Sequence, residues 1–234
     1  MVTEEPHAIY NLCQAGCLLA LGKKAGEKSV TVKSHWEDVY STKAVTEVSW
    51  FRPHLETSMA LIRKTGVARD GHIIDVGGGA STLVDDLLAE GYGHVTVLDV
   101  AEAALADSRK RLGEKASEVT WLAANVTDTS LSPNTYDVWH DRAVFHFLTE
   151  AADRDKYVRL ARRSIKPGGY AVIATFGLEG PEKCSGLDVV RYSARALAEE
   201  LGAGFALVES HVEQHQTPAG WTQQFLYCLF RREG

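Results

Sequence analysis

Two aspartates on either side of a glycine turn carry the first chemical signal in this chain. Ile73-Ile74-Asp75-Val76-Gly77-Gly78-Gly79-Ala80-Ser81 starts as an apolar run ending on an acid, breaks into glycines and opens an amphipathic segment at Ser81. Such a pattern predicts a buried parallel strand, a tight turn and a helix start capped by Ser81. Glycines there let a ligand approach the backbone, and a helix N-terminus offers unpaired N–H groups. A second strand, Val95-Thr96-Val97-Leu98-Asp99, also finishes on an acid. Asp99 lies about twenty residues beyond Gly79, the distance at which open α/β sheets place a carboxylate on ribose hydroxyls.

A nicotinamide-dinucleotide site fits this turn poorly. That fingerprint wants a small residue three places after its second glycine, where the bulkier Thr82 stands. An acid at position 75 also conflicts with a pyrophosphate and suits a positively charged amino-acid end.

Other reactive side chains have two readings each. His146, between Phe145 and Phe147, is a candidate general base or a space-filling core histidine. Arg142 either holds an acidic substrate or pairs with Asp141 or Asp137. Trp36, Tyr40, Trp50 and Phe51 form either a cap over a ligand or a plug at the edge of the core. Cys13 and Cys17 share a helical face as small buried hydrophobes or as a metal or redox pair, with no second ligand pair in sight. Cys184 sits in an irregular loop, Gly177 to Asp188, where it touches a substrate or is inert; His211 and His215 read as surface residues.

The elements that must position these groups alternate regularly. Helices are expected over His54–Thr65, after Ser81, and over Ala101–Leu112, Arg154–Ile165 and Ser193–Leu201. Further strands are expected over Val119–Ala123, Tyr136–Asp141, Tyr170–Phe176, Phe205–His211 and Gln224–Arg231. Lys166-Pro167-Gly168-Gly169 reads as a turn. Strand–helix repeats closed by two strands with no helix between them predict a doubly wound, Rossmann-like α/β sheet whose last strands pair antiparallel. Residues 1–33 read as an N-terminal extension, a lid or dimer contact, and 34–234 as the main domain.

With 234 residues, 45% apolar and 24% charged, the chain suits one domain with a substantial core. A formal charge of −6 gives no electrostatic reason for a nucleic-acid partner. The apolar stretch from Ala8 to Leu21 is too short to span a bilayer and follows acidic residues, so the expectation is a cytoplasmic protein without membrane or targeting segment. The cysteine spacing points the same way.

Taken together, Asp75-Val-Gly-Gly-Gly-Ala-Ser81, Val97-Leu-Asp99, Ala124-Asn125-Val126, Tyr136-Asp137-Val138 and Lys166-Pro-Gly-Gly169 resemble the class I S-adenosylmethionine-dependent methyltransferases. The resemblance covers residues 34 to 231 and implies a seven-stranded sheet with the last strand reversed. It implies S-adenosylmethionine as cofactor, with Gly77 and Gly79 under its methionine part and Asp75 answering its amino group. Asp99 would take the ribose hydroxyls, Val100 would lie on the adenine, and Asn125 and Val126 would border the adenine edge, Asn125 through its amide oxygen. Asp141 would border the methionine amino group. His35-Trp36-x3-Tyr40, Trp50-Phe51, Trp139-His140-Asp141-Arg142-Ala143 and Gly180-Pro181 are similar to thiopurine and thiol S-methyltransferases, and the aromatic cap is also similar to small protein-lysine methyltransferases. No second acidic cluster follows the fifth strand, so no metal site is expected. The expected activity is methyl transfer to a small-molecule acceptor, a thiol or other soft nucleophile. The alternatives are a protein lysine and a non-catalytic cofactor-binding protein.

Overall fold

Ile73 and Ile74 are both fully buried, one on each face of strand β1 (His72–Val76), and this two-sided burial makes β1 a central strand. The computed structural model describes residues 31–234, so the expectations placed on residues 1–30, Cys13 and Cys17 among them, lie outside the described residues. Around β1 are arranged β2 (His94–Asp99), β3 (Val119–Ala123), β4 (Tyr136–Arg142), β5 (Ile165–Phe176), β8 (Phe205–Gln216) and β9 (Thr222–Arg232). The seven-stranded order is β3-β2-β1-β4-β5-β9-β8, with the first five strands parallel and β9 antiparallel to both its neighbours. The doubly wound α/β fold expected from the sequence is the fold observed.

Period-two alternation along the strands feeds two separate cores. On one face Ile73, Val95, Val97 and Val138 pack against Met59 and Ile62 of α2 (Glu56–Lys64), Leu83 and Leu87 of α3 (Leu83–Ala89) and Leu105 of α4 (Glu102–Leu112). On the other, Ile74, Leu98, Trp139 and Ile173 pack against Tyr157 and Leu160 of α5 (Ala151–Ser164) and Leu197 and Leu201 of α6 (Ala194–Leu201). The strand order reverses between β1 and β4, which opens the crevice where such sheets bind ligands.

Several boundaries move. Thr82, not Ser81, precedes α3, and the Ser81 hydroxyl instead accepts from the Leu83 N–H at 3.2 Å. The Lys166–Gly169 turn is drawn into β5, whose first residue pairs with Tyr136. The Gly177–Asp188 loop contains a small hairpin, β6 (Lys183–Cys184) and β7 (Leu187–Asp188), turned at Ser185 and Gly186 with φ of 50° and 82°. His215 is not on the surface. The extended β8 carries it into the core, where its Nε2 meets the Ser49 carbonyl at 2.7 Å.

The aromatic stretch folds as helix α1 (Val32–Thr42), capped by the Thr31 hydroxyl on the Ser34 N–H. Glu37 fixes it to the sheet by accepting from the Glu102 and Ala103 N–H groups at 2.8 and 3.1 Å, so a carboxylate of α1 caps α4. Among the described residues no helix is long and apolar enough to cross a membrane.

Asp141 departs from its expected place at the methionine end. It is fully buried and accepts from the N–H groups of Val144 at 2.9 Å and Phe145 at 3.1 Å, and from the Tyr157 hydroxyl at 2.6 Å. Tyr157 in turn accepts from Trp139 Nε1 at 2.8 Å. Burial pushes the Asp141 carboxyl up to about 6 against the pull of these donors. The carboxylate locks the chain as it leaves β4 through Ala143, whose φ of 69° is a left-handed backbone that costs a residue with a Cβ some strain. Tyr157→Phe leaves Trp139 Nε1 unpaired and removes a donor from Asp141. It should lower stability by about 1–3 kcal/mol, read as a lower urea midpoint with an unchanged slope.

Candidate functional site

A cavity of about 390 Å³ opens at the carboxyl ends of β1, β2 and β4. Its floor is the turn after β1. Gly77 has a φ of 69°, and a Cβ there would meet Val144 Cγ2 at 2.0 Å. At Gly78 a Cβ would come within 2.5 Å of Asp75 Oδ2, and at Gly79 within 2.6 Å of Asp99 Oδ2. Glycine is therefore demanded at 78 and 79 by the two acids themselves. Gly79 does not line the cavity; it makes room for Asp99.

Asp75 lines the cavity with only 2% of its surface exposed. One of its oxygens, Oδ1, is 2.7 Å from His140 Nδ1, while Oδ2 is buried without a partner among the described residues. Asp99 accepts from the Ala101 N–H at 2.8 Å. Burial raises its carboxyl to about 7; the Ala101 and Val100 N–H groups oppose the rise and the Asp75 charge adds to it. A desolvated carboxylate with spare acceptor capacity is poised for a ligand's donors.

Beyond Asp99 the wall is Val100, Asn125 and the buried Val126. Asn125 corrects one expectation. Its amide oxygen already accepts from both the N–H and the hydroxyl of Thr127, each at 3.0 Å, and its nitrogen donates to Asp128 at 3.1 Å. The side chain builds the turn after β3, leaving no free lone pair aimed at a base edge.

The aromatic residues form a cap. Trp36 meets Trp50 and Phe147 edge-on, with ring centroids 5.7 and 5.2 Å apart, and Tyr40 meets Trp50 at 6.4 Å. Trp36, Tyr40, Trp50 and Phe51 all line the cavity. Burial first, then the Asp99 charge, holds the Tyr40 phenol above its ordinary range, so it remains protonated.

The far end of the cavity is cationic. Arg142 pairs with neither Asp141 nor Asp137. Its Nε donates to the Tyr227 hydroxyl at 2.8 Å, its Nη1 to the Trp50 carbonyl at 2.9 Å, and the guanidinium lies 4.4 Å over the Phe225 ring. Nη2 is buried without a partner among the described residues. The nearby Glu213 is spent on Arg52 and Thr57. Cys184 lines the same end, but burial pushes its thiol up to about 12, so it is not a nucleophile at neutral pH.

His146 does not line the cavity and is not placed to act as a base. It is fully buried among Phe147 and Phe176, its Nδ1 accepts from the Phe176 N–H at 3.2 Å, and burial lowers its pKa to about 3. Of the residues read from sequence, the structure gathers Asp75, Gly77, Ser81, Asp99, Val100, Asn125, Val126, Arg142 and the aromatic cap around one cavity and turns Asp141 and His146 away from it. Sequence reading missed Phe147 as part of the cap and His140 as the partner of Asp75. That pairing follows only from the β1–β4 register, which sets the two residues side by side.

Residues 73–169 match the model of a methyltransferase domain. The ubiquinone/menaquinone biosynthesis C-methyltransferase UbiE of Roseobacter denitrificans is 26% identical over 147 residues, covering 59% of this chain and 58% of that protein. The N-terminal Xaa-Pro-Lys N-methyltransferase 1 of Ailuropoda melanoleuca is 30% identical over 141 residues, covering 54% and 63%. The chain thus spans less than two thirds of the length of these curated relatives. The solved structure of Burkholderia thailandensis 1,6-didemethyltoxoflavin-N1-methyltransferase, with 1,6-didemethyltoxoflavin and S-adenosylhomocysteine bound, shares the fold at a TM-score of 0.63 and 22% identity, covering 84% of this chain and 82% of that one. Residues 73–169 therefore carry a methyltransferase domain, and the sheet order with its reversed β9 and the acid–glycine turn support a class I, seven-stranded S-adenosylmethionine-dependent methyltransferase.

Proposed function

We propose that the chain transfers a methyl group from S-adenosylmethionine to a small-molecule acceptor carrying a soft or anionic nucleophile. The observation that carries this reading is a single cavity with two buried carboxylates at one end and a buried, incompletely paired guanidinium at the other. The acid end fits the cofactor. Asp75 Oδ2 is an orphaned acceptor suited to an ammonium, and Asp99 to a pair of ribose hydroxyls, with Gly78 and Gly79 keeping their approach open. Val100 and Val126 offer an apolar wall to the adenine. Bound there, the cofactor supplies a methyl group already activated by its sulfonium.

The protein's share of the chemistry is alignment and exclusion of water. Trp36, Tyr40, Trp50 and Phe147 close the cavity over the acceptor. Both ring nitrogens of His140 are spent, His146 is walled off, and the lining carboxylate Asp188 at the far end is exposed. An acceptor that arrives already nucleophilic, such as a low-pKa thiol, fits a site without a free base. The similarity to an N-terminal Xaa-Pro-Lys N-methyltransferase supports the second reading only as far as methylation of a protein amine. The Arg142 charge argues against an ammonium docking beside it.

Calorimetry should show S-adenosylmethionine binding and NAD failing to bind; the reverse would overturn the reading. With labelled cofactor, transfer to a panel of thiols supports the small-molecule acceptor, and label confined to lysate protein supports the lysine. Arg142→Gln should reduce transfer to a carboxylate-bearing thiol about tenfold more than transfer to its neutral counterpart, with cofactor affinity unchanged. Asp99→Asn should weaken cofactor binding at least about tenfold. It should also raise the ligand-free Tm at pH 8 by about 2–4 °C. The sign follows from the raised carboxyl: the folded state resists ionisation that the unfolded chain accepts above about pH 4, so Asp99 costs stability increasingly as pH rises towards 7. The advantage of Asn should fade as pH falls from 8 to 4.

A further inference from the structure

Asp75, His140 and Ser58 form a hydrogen-bonded chain buried under the cavity floor, with 2%, 1% and 0% of their surfaces exposed. His140 Nδ1 is 2.7 Å from Asp75 Oδ1, and His140 Nε2 is 2.8 Å from Ser58 Oγ. Three elements supply the chain: the β1–β4 register sets Asp75 beside His140, and α2 brings Ser58 under the ring. We propose that His140 is the positioning residue for the cofactor's amino-acid end, holding the Asp75 carboxylate charged and turned so that its second oxygen meets the ammonium. This rests on the assignment of Asp75 to the cofactor made above.

The proton count carries the argument. An ionised carboxylate only accepts, so the proton between Asp75 and His140 sits on Nδ1. The Ser58 hydroxyl has no other acceptor among the described residues, so it donates to Nε2. The ring is then neutral, and the pair keeps the full negative charge of Asp75. A doubly protonated ring would cancel that charge and leave a cationic ligand nothing to answer. The arrangement parallels metal sites in which a carboxylate fixes a histidine's tautomer and orientation, with the roles exchanged. Oδ2, the oxygen His140 does not take, is buried without a partner among the described residues, and it borders the space that the missing Gly78 side chain leaves open.

The test compares two ligands that differ by the amino-acid tail. S-adenosylhomocysteine carries the ammonium; 5′-methylthioadenosine keeps the adenosine and thioether without it. In His140→Phe, which fills the ring's space without a donor, affinity for S-adenosylhomocysteine should fall at least tenfold while that for 5′-methylthioadenosine stays within twofold. His140→Asn, whose amide nitrogen can take the place of Nδ1, should recover S-adenosylhomocysteine affinity to within about threefold of the parent. In the parent protein, ¹⁵N-histidine NMR should report His140 as the neutral Nδ1–H tautomer. Equal losses for both ligands, an unchanged S-adenosylhomocysteine affinity in His140→Phe, or a doubly protonated ring would each overturn the role of His140. Failure of the parent to bind S-adenosylhomocysteine at all would instead overturn the cofactor assignment beneath it.

Discussion

Two carboxylates are held out of water at the ends of β1 and β2, and no lysine or arginine of the described chain pairs with either. Removing such charges from solvent is costly, and a fold keeps them only where something else answers them. Asp75 is half-answered by His140; Asp99 takes the Ala101 N–H group and sits with its carboxyl raised to about 7. The rest of the site is arranged around this deficit. Glycines at 78 and 79 are the only residues that leave both acids reachable, and the reversal of strand order between β1 and β4 supplies the opening.

The cavity is polarised along its length. Acids stand at one end, and at the other a guanidinium is stacked on Phe225 and, among the described residues, hydrogen-bonded only to a phenol and a carbonyl. On the proposed reading, a cationic nucleoside and an anionic acceptor would lie between these poles in the order that brings sulfonium and nucleophile together. The same distribution disfavours exchanging their places, because each end repels the other's ligand. Selectivity of this kind arises from buried charge and leaves the exposed surface, with its ordinary mixture of ion pairs, free of the task.

What the sequence disclosed and what it hid divide along physical lines. Strand cores such as Ile73-Ile74 and Val95–Leu98 announce themselves because two-sided burial demands unbroken apolar runs, and the glycine turn does so because no other residue fits. The fold and the acid end of the site follow from those signals. Side-chain direction at strand ends does not. Asp141 shares the core-facing side of β4 with Trp139, and the left-handed Ala143 folds the chain back so that its carboxylate caps its own turn. His146 lies close along the chain to lining residues, but its short 3₁₀ turn, Phe145–Phe147, faces the ring into the core and leaves Phe147 to the cap. Asn125 and Ser81 carry polar groups that local backbone N–H donors claim first. His215 reads as exposed because β8 runs further than its apolar pattern, with Phe205 at its start and His215 near its end buried and the residues between them largely outside the core.

One helix start joins the cofactor end to the cap. The first N–H groups of α4 are shared between two acids: Ala101 donates to Asp99, and Glu102 and Ala103 donate to Glu37 of α1. Asp99 and the helix that carries Trp36 and Tyr40 are therefore fastened to consecutive peptide units. Because the helix N-terminus favours negative charge on both, neither acid needs a basic side chain to stay in place. That arrangement keeps lysines and arginines away from the acid end, where a fixed cation would compete with the cofactor's own, and leaves Arg142 to set the charge at the opposite end.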